Sequence, residues 1–157
     1  MEKNKKIGII IPIVISIAFV TYLSTIAFSE IEQRKALEDV QISFHEATLQ
    51  DIGFSGATLD LALEMYNPND ITATLDKADY DLWFNDNFLG HGFTHQRIDI
   101  PPLTSKIIHT EFDLDFTGAG QSIISALTQG EVSWRLAGTA YYDTILGTLN
   151  IPFDITQ

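Results

Sequence analysis

Residues 59–70 read LDLALEMYNPND. Leu59, Leu61, Leu63 and Met65 alternate with Asp60, Ala62, Glu64 and Tyr66. A period of two is the signature of a strand with one face in a core and the other outward. Asn67-Pro68-Asn69-Asp70 then stops it. Pro68 fixes its own φ and pushes Asn67 into an extended conformation, which leaves both asparagine amides placed to cap turn backbone. The motif therefore reads first as a structural turn, and as a ligand contact only second.

The same alternation recurs on both sides. Upstream, Ile42 and Phe44, with Ala47 and Leu49, suggest a first strand, and Gly53 and Gly56 mark the turn after it. Downstream, Tyr80, Leu82 and Phe84 alternate with Asp79, Asp81 and Trp83. Asn85-Asp86-Asn87 is turn chemistry, and 88–94 is the return strand of a hairpin. After the Pro101-Pro102 break, Ile108, Thr110, Phe112, Leu114 and Phe116 point one way, while His109, Glu111, Asp113 and Asp115 point the other. Ile123, Ile124 and Leu127 predict a helix of two to three turns within 118–130. Val132, Trp134 and Leu136 define one closing strand, with Trp134 inside; Leu149, Ile151, Phe153 and Ile155 define the last. About seven short strands with turn signals between them predict an all-β fold, an immunoglobulin- or fibronectin III-like antiparallel β-sandwich with one short helix.

The order of motifs resembles the LEA type 2 family, whose domain is called WHy, for water stress and hypersensitive response. The resemblance rests on Tyr66-Asn67-Pro68-Asn69, Tyr80-x-Leu82, Phe88-Leu89-Gly90-x-Gly92, Ile100-Pro101-Pro102, Gly138-x-Ala140-Tyr141 and Gly147-Thr148-Leu149-x-Ile151-Pro152-Phe153. It covers roughly 40–155. It implies a folded sandwich with a non-catalytic, desiccation- or stress-related role, and some members carry an N-terminal membrane anchor.

Residues 7–28 run for 22 positions without a charged side chain. A helix of that length reaches roughly 33 Å at about 1.5 Å per residue, enough to cross a bilayer core of about 30 Å. The organisation expected is a basic N-terminus (1–6), a transmembrane helix (7–28), a stalk (29–39) and a β-domain (40–157). Lys3, Lys5 and Lys6 precede the span, while Arg34 and Lys35 follow it mixed with Glu30 and Glu32. This balance favours a cytoplasmic N-terminus and an extracytoplasmic domain, single-pass in the cell membrane. A cleaved signal ending near Thr25-Ile26-Ala27 is the rival, but its apolar region would be long.

From Ala36 onward eighteen carboxylates face four basic residues, Lys77, Arg97, Lys106 and Arg135. Such a polyanion gains nothing by approaching phosphate, so nucleic acid is not an expected partner. Cysteine is absent, which excludes disulfides and thiol chemistry. No Gly-x-Ser-x-Gly elbow, phosphate loop or HExxH occurs. No catalytic, cofactor-binding or metal-binding set is therefore assigned, and the protein is read as non-enzymatic. His91 and His95 sit in a strand or hairpin, where four residues span roughly 13 Å, too far to share a metal. His45 and His109 are lone histidines on polar faces. Glu111, Asp113 and Asp115 share a strand face, joined by Asp60 and Glu64 if the 59–66 strand lies beside them. That face is either a solvated acidic surface or a weak site for a divalent cation or basic partner. The function expected is membrane-anchored stress protection. The alternative is a cell-surface module docking a protein or glycan, for which exposure of Trp83 or Tyr141-Tyr142 would speak.

Overall fold

A computed structural model describes residues 2–116 and 133–157. The strand read from residues 59–66 is β2 (Gly56–Asn67). It lies between β1 (Gln41–Ile52) and β6 (Thr104–Asp115), antiparallel to both, in a three-stranded sheet. The second sheet has the order β4-β3-β7-β8, built from β3 (Ala73–Phe84), β4 (Asn87–Thr94), β7 (Trp134–Thr144) and β8 (Gly147–Thr156). A short β5 (Ile98–Ile100) pairs with the start of β3. The two sheets close as an antiparallel sandwich, and the alternation in each strand decides which side chains enter it. The expected helix within 118–130 and Val132 lie outside the described residues.

Eight strands stand among the described residues where about seven were expected. The additional one, β5, is three residues long and too short for alternation to register. The phase slip in the first strand has a physical cause. A bulge between Phe44 and Glu46 shifts the register, so Ala47 follows Phe44 inward at a spacing of three. Leu49 is not enclosed; it remains 38% exposed.

The upper core joins Leu59 and Leu61 of β2, Phe112 and Leu114 of β6, Tyr80, Leu82 and Phe84 of β3, and Trp134 and Leu136 of β7. Trp134 meets Phe84 edge-on at 4.8 Å and stacks on Phe44 at 5.7 Å between ring centres. Two motif glycines make room for Tyr80. A Cβ on Gly138 would come within 2.1 Å of the Asp79 carbonyl oxygen, and one on Gly92 within 2.3 Å of the Tyr80 ring. The lower core joins Met65, Leu75, Ile98, Ile100, Ile108 and Tyr142. Leu37, from the N-terminal helix, completes it.

That helix, α1 (Glu2–Glu38), is continuous for 37 residues. Among the described residues it is the one helix long and apolar enough to cross a membrane, and its apolar part projects from the sandwich with Val14 to Phe19 largely uncovered.

Trp134→Ala should lower the thermal midpoint severely. Truncating a buried aromatic costs about 3–5 kcal/mol, against roughly 5–15 kcal/mol for a whole domain. Thermal denaturation of the full chain in detergent checks it; a near-neutral change would contradict the packing.

Candidate functional site

The end of the sandwich next to α1 is organised by one side chain. Asn67 ends β2 and is fully buried. Its Nδ2 donates to the carbonyls of Ile71 at 2.7 Å, Ile100 at 3.0 Å and Pro101 at 3.3 Å. Its Oδ1 accepts from the backbone N–H and the Nδ2 of Asn69, both at 3.1 Å. Asn69 in turn donates from Nδ2 to the carbonyl of Ala36 at 2.5 Å. Carbonyls in the last turn of a helix lack intrahelical partners, so Asn69 caps α1 from the sandwich. The Leu103 N–H donates to the Asn69 carbonyl at 3.1 Å, which secures the turn before β6. The Asn-Pro-Asn motif is a structural turn, as its residues suggested, and its reach extends to the helix.

A second junction was not legible in the sequence. Glu30, which reads as one more charge in the stalk, is buried. Its carboxylate accepts from Arg34 Nε and Thr144 Oγ1, each at 2.6 Å, and from the Leu146 N–H at 3.3 Å. Segment 29–39, expected as a stalk, is the docked end of α1. It is held by Glu30 on the β7–β8 turn, by Leu37 in the lower core and by Asn69 at Ala36. The hydrogen bond from Thr144, helped by Arg34 and the Leu146 N–H, holds the Glu30 carboxyl below its usual 4.5, against the opposing push of burial.

The acidic strand face is less concentrated than its composition suggested. Asp60 lies directly opposite Glu111 across β2 and β6. Such a like-charge pair is unfavourable unless relieved. His109, diagonal to Asp60, relieves it with Nδ1 2.8 Å from Asp60 Oδ2. Thr58 donates to Asp113 at 3.0 Å. Glu64 stands opposite Ile107, and Asp115 opposite Gly56 at the far end of the strand. Among the described residues no three His, Asp or Glu side chains converge as a metal cage requires. His109 therefore has a role that the sequence alone did not suggest. A period-two diagonal pairing of His with Asp was the available signal.

His91 pairs with Asp81 and packs on Phe88, while His95 packs on Phe93. Both histidines border a cleft of about 710 Å³ between β4 and β6, whose other wall carries His109 and Glu111. The aromatics singled out for a docking surface are largely occupied. Tyr142 is buried, Lys77 Nζ covers the Tyr141 ring at 4.6 Å and Arg135 covers Trp83 at 4.9 Å. Arg135 also forks onto Asp154 at 2.9 and 2.6 Å, which holds that carboxyl below its ordinary value.

A two-sheet antiparallel sandwich with an N-terminal apolar helix defines the class. The chain belongs to the late embryogenesis abundant protein family LEA_2, whose model matches residues 62–157. No curated protein matches its sequence. Among solved structures it is similar to AT1g01470 from Arabidopsis thaliana, with a TM-score of 0.59 and 10% identity over 74% of this chain and 78% of that one. A candidate LEA protein, At2g46140.1, matches with a TM-score of 0.54 and 10% identity over 89% and 86%. A protein from Archaeoglobus fulgidus matches with 0.51 and 12% over 73% and 94%. Identities this low establish the shared fold alone.

Two measurements check these junctions. Asn67→Asp removes the amide donor and aims a carboxylate at three carbonyls; leaving such buried groups unsatisfied costs about 1–3 kcal/mol each. It should destabilise the full chain more than Asn67→Ala at neutral pH, and the gap should narrow in acid as the carboxylate protonates. Glu30 has a depressed folded pKa, so its contribution is complete above the unfolded value of 4.5 and is lost as pH falls through the folded value. Hydrogen exchange at the Leu146 amide, taken relative to its intrinsic rate at each pH, should accelerate over that acid window in the native chain. In Glu30→Gln it should be fast already at neutral pH and lack the acid step.

Proposed function

We propose that the protein is a single-pass, membrane-anchored, non-enzymatic protective domain of the LEA type 2 kind, acting in desiccation or a related stress. In this reading 1–6 is cytoplasmic, 7–28 spans the cell membrane, 29–39 couples span to domain, and 40–157 is displayed outside. Family membership supports the stress-related role. The observation that carries the anchored reading is the unbroken α1, whose apolar part stands free of the sandwich while its last turns are fastened to it.

The physical mechanism is resistance to aggregation as water is lost. Most apolar side chains of the two sheets are turned inward, with Ile52, Phe88, Phe93 and Ile107 left exposed, and the outer faces carry most of the domain's excess of carboxylate. Net charge of this size keeps like molecules apart and holds hydration water at the surface. The docking alternative is less well supported, because Trp83 and Tyr141 lie under cationic side chains and Tyr142 is internal.

The test uses cells carrying the full chain. External protease should remove the domain from intact cells, and cells lacking the protein should survive drying less well. A chain neutralised at Asp60, Glu111 and Asp113 by Asn and Gln should remain folded yet restore survival poorly. Full rescue by that variant would reject the anionic mechanism, and a protease-resistant domain would reject the orientation.

A further inference from the structure

The connection between β7 and β8 is a two-residue turn, Ile145-Leu146, and its side chains are 64% and 63% exposed. Two-residue hairpin turns ordinarily use Gly, Asn or Asp, which accept the required backbone angles and face water. The β3–β4 turn at the opposite end of the same sheet obeys that rule, with Asn85 and Asp86 at φ 45° and 63°. At the β7–β8 tip the positive φ falls on Gly147 instead, at 127°, so turn geometry permits two large aliphatic side chains at Ile145-Leu146 but does not call for them.

Their position does. The Leu146 N–H and the Thr144 hydroxyl both donate to Glu30, and Ile145 borders a cleft with Ser29, Glu32 and Ala36. Glu30 lies two residues beyond Phe28, where the uncharged run ends. At about 1.5 Å per residue this is roughly 3 Å along the helix axis. Apolar groups at such a level reach the headgroup–acyl boundary, into which interfacial segments bury about 5–10 Å. Residues 144–148 carry no charge, and Asp143 just behind them is paired with Arg97. Phe28 and Ile31 extend the exposed apolar surface along the helix at 65% each. Phe54, also fully exposed, sits at the far end of the three-stranded sheet and has no such route.

We infer that the Ile145-Leu146 turn inserts into the interface of the same bilayer that α1 spans, giving the domain a second lipid contact. The inference rests on reading α1 as a span. The partner is the apolar boundary of the bilayer and not an anionic headgroup, since the turn has no basic side chain. Two contact points fix the tilt of the sandwich on the membrane, which the helix alone would leave free to vary with its own tilt.

The chain has no cysteine, so single labels can be placed at will. Leu146→Cys, Asp86→Cys and Ile17→Cys in the full chain would each carry the fluorophore NBD in phosphatidylcholine vesicles. Shallow doxyl-labelled lipid and aqueous iodide serve as the two quenchers. The label at 146 should be quenched by doxyl lipid at least about twofold more than that at 86, as interfacial burial requires, and be shielded from iodide. A label at 146 open to iodide, with 17 inside the bilayer, overturns the inference and leaves the anchor standing. Shielding from iodide without doxyl quenching means that protein covers the turn, which also overturns it. A label at 17 open to iodide rejects the span and the inference together.

Discussion

Five hydrogen bonds converge on the side-chain amide of Asn67, and the base of the molecule depends on them. A buried amide must satisfy two donors and an oxygen or lose the stability of each unmade bond. Here the carbonyls of Ile71, Ile100 and Pro101 converge on the amide and need donors, the last of them shared with the Thr104 hydroxyl at 2.9 Å. Asn67 resolves both demands at once. A hydrophobic residue would strand the carbonyls, and an aspartate would repel them. Pro68 contributes by removing the conformational freedom that would let the loop swing away. The second asparagine then carries the network to Ala36, so the end of the helix and the end of β2 share one set of bonds.

The coupling of helix to sandwich follows from this arrangement. Leu37 closes the lower core between the sheets, which puts helix and domain into a common hydrophobic unit. Glu30, two turns earlier on the same face of the helix, fastens it to the β7–β8 turn. Burial of a carboxylate is unfavourable unless it is hydrogen-bonded and paired, and Thr144, Leu146 and Arg34 supply both. Three contacts of different chemistry at Glu30, Ala36 and Leu37 hold about two turns of helix. A domain attached in this way shares its orientation with the end of α1.

Much of the fold was legible from the sequence because period-two alternation is a direct consequence of burial on one face. Residues 80–84 and 108–116 followed it closely, and 59–66 followed it apart from Ala62, which is buried, and Leu63, which is only partly so. Short or irregular pieces were not legible. Three residues of β5 give no period, and the bulge in β1 disguised one strand as a broken pattern. The junctions were the hardest part, since each joins positions more than thirty residues apart and Glu30 meets Thr144 across 114. Charge counting placed Glu30 in a stalk and read Asp60 and Glu111 as part of a solvated acidic face or a weak cation site. It could not show that a neighbouring hairpin would enclose the first, or that a histidine on the diagonal would moderate the second.

Polarity is also distributed along the long axis, and this has an electrostatic reason. The acidic residues of β2 and β6 alternate with core positions over the length of those strands, so their charge is spread and locally relieved by His109 and Thr58. On the second sheet Asp143 and Asp154 are each matched by an arginine. Strong net charge thus coexists with few close like-charge contacts that would strain the sandwich. At the base the sequence changes character: the β7–β8 turn is uncharged, and the carboxylate beneath it is enclosed. A charged turn there would have to be desolvated beside an apolar helix, at a cost that no partner in the turn could offset. Under the anchoring proposed above, the uncharged β7–β8 turn is the part of the base that lets a polyanionic domain approach a bilayer, with Glu32 and Asp70 beside it in the cleft that Ile145 borders.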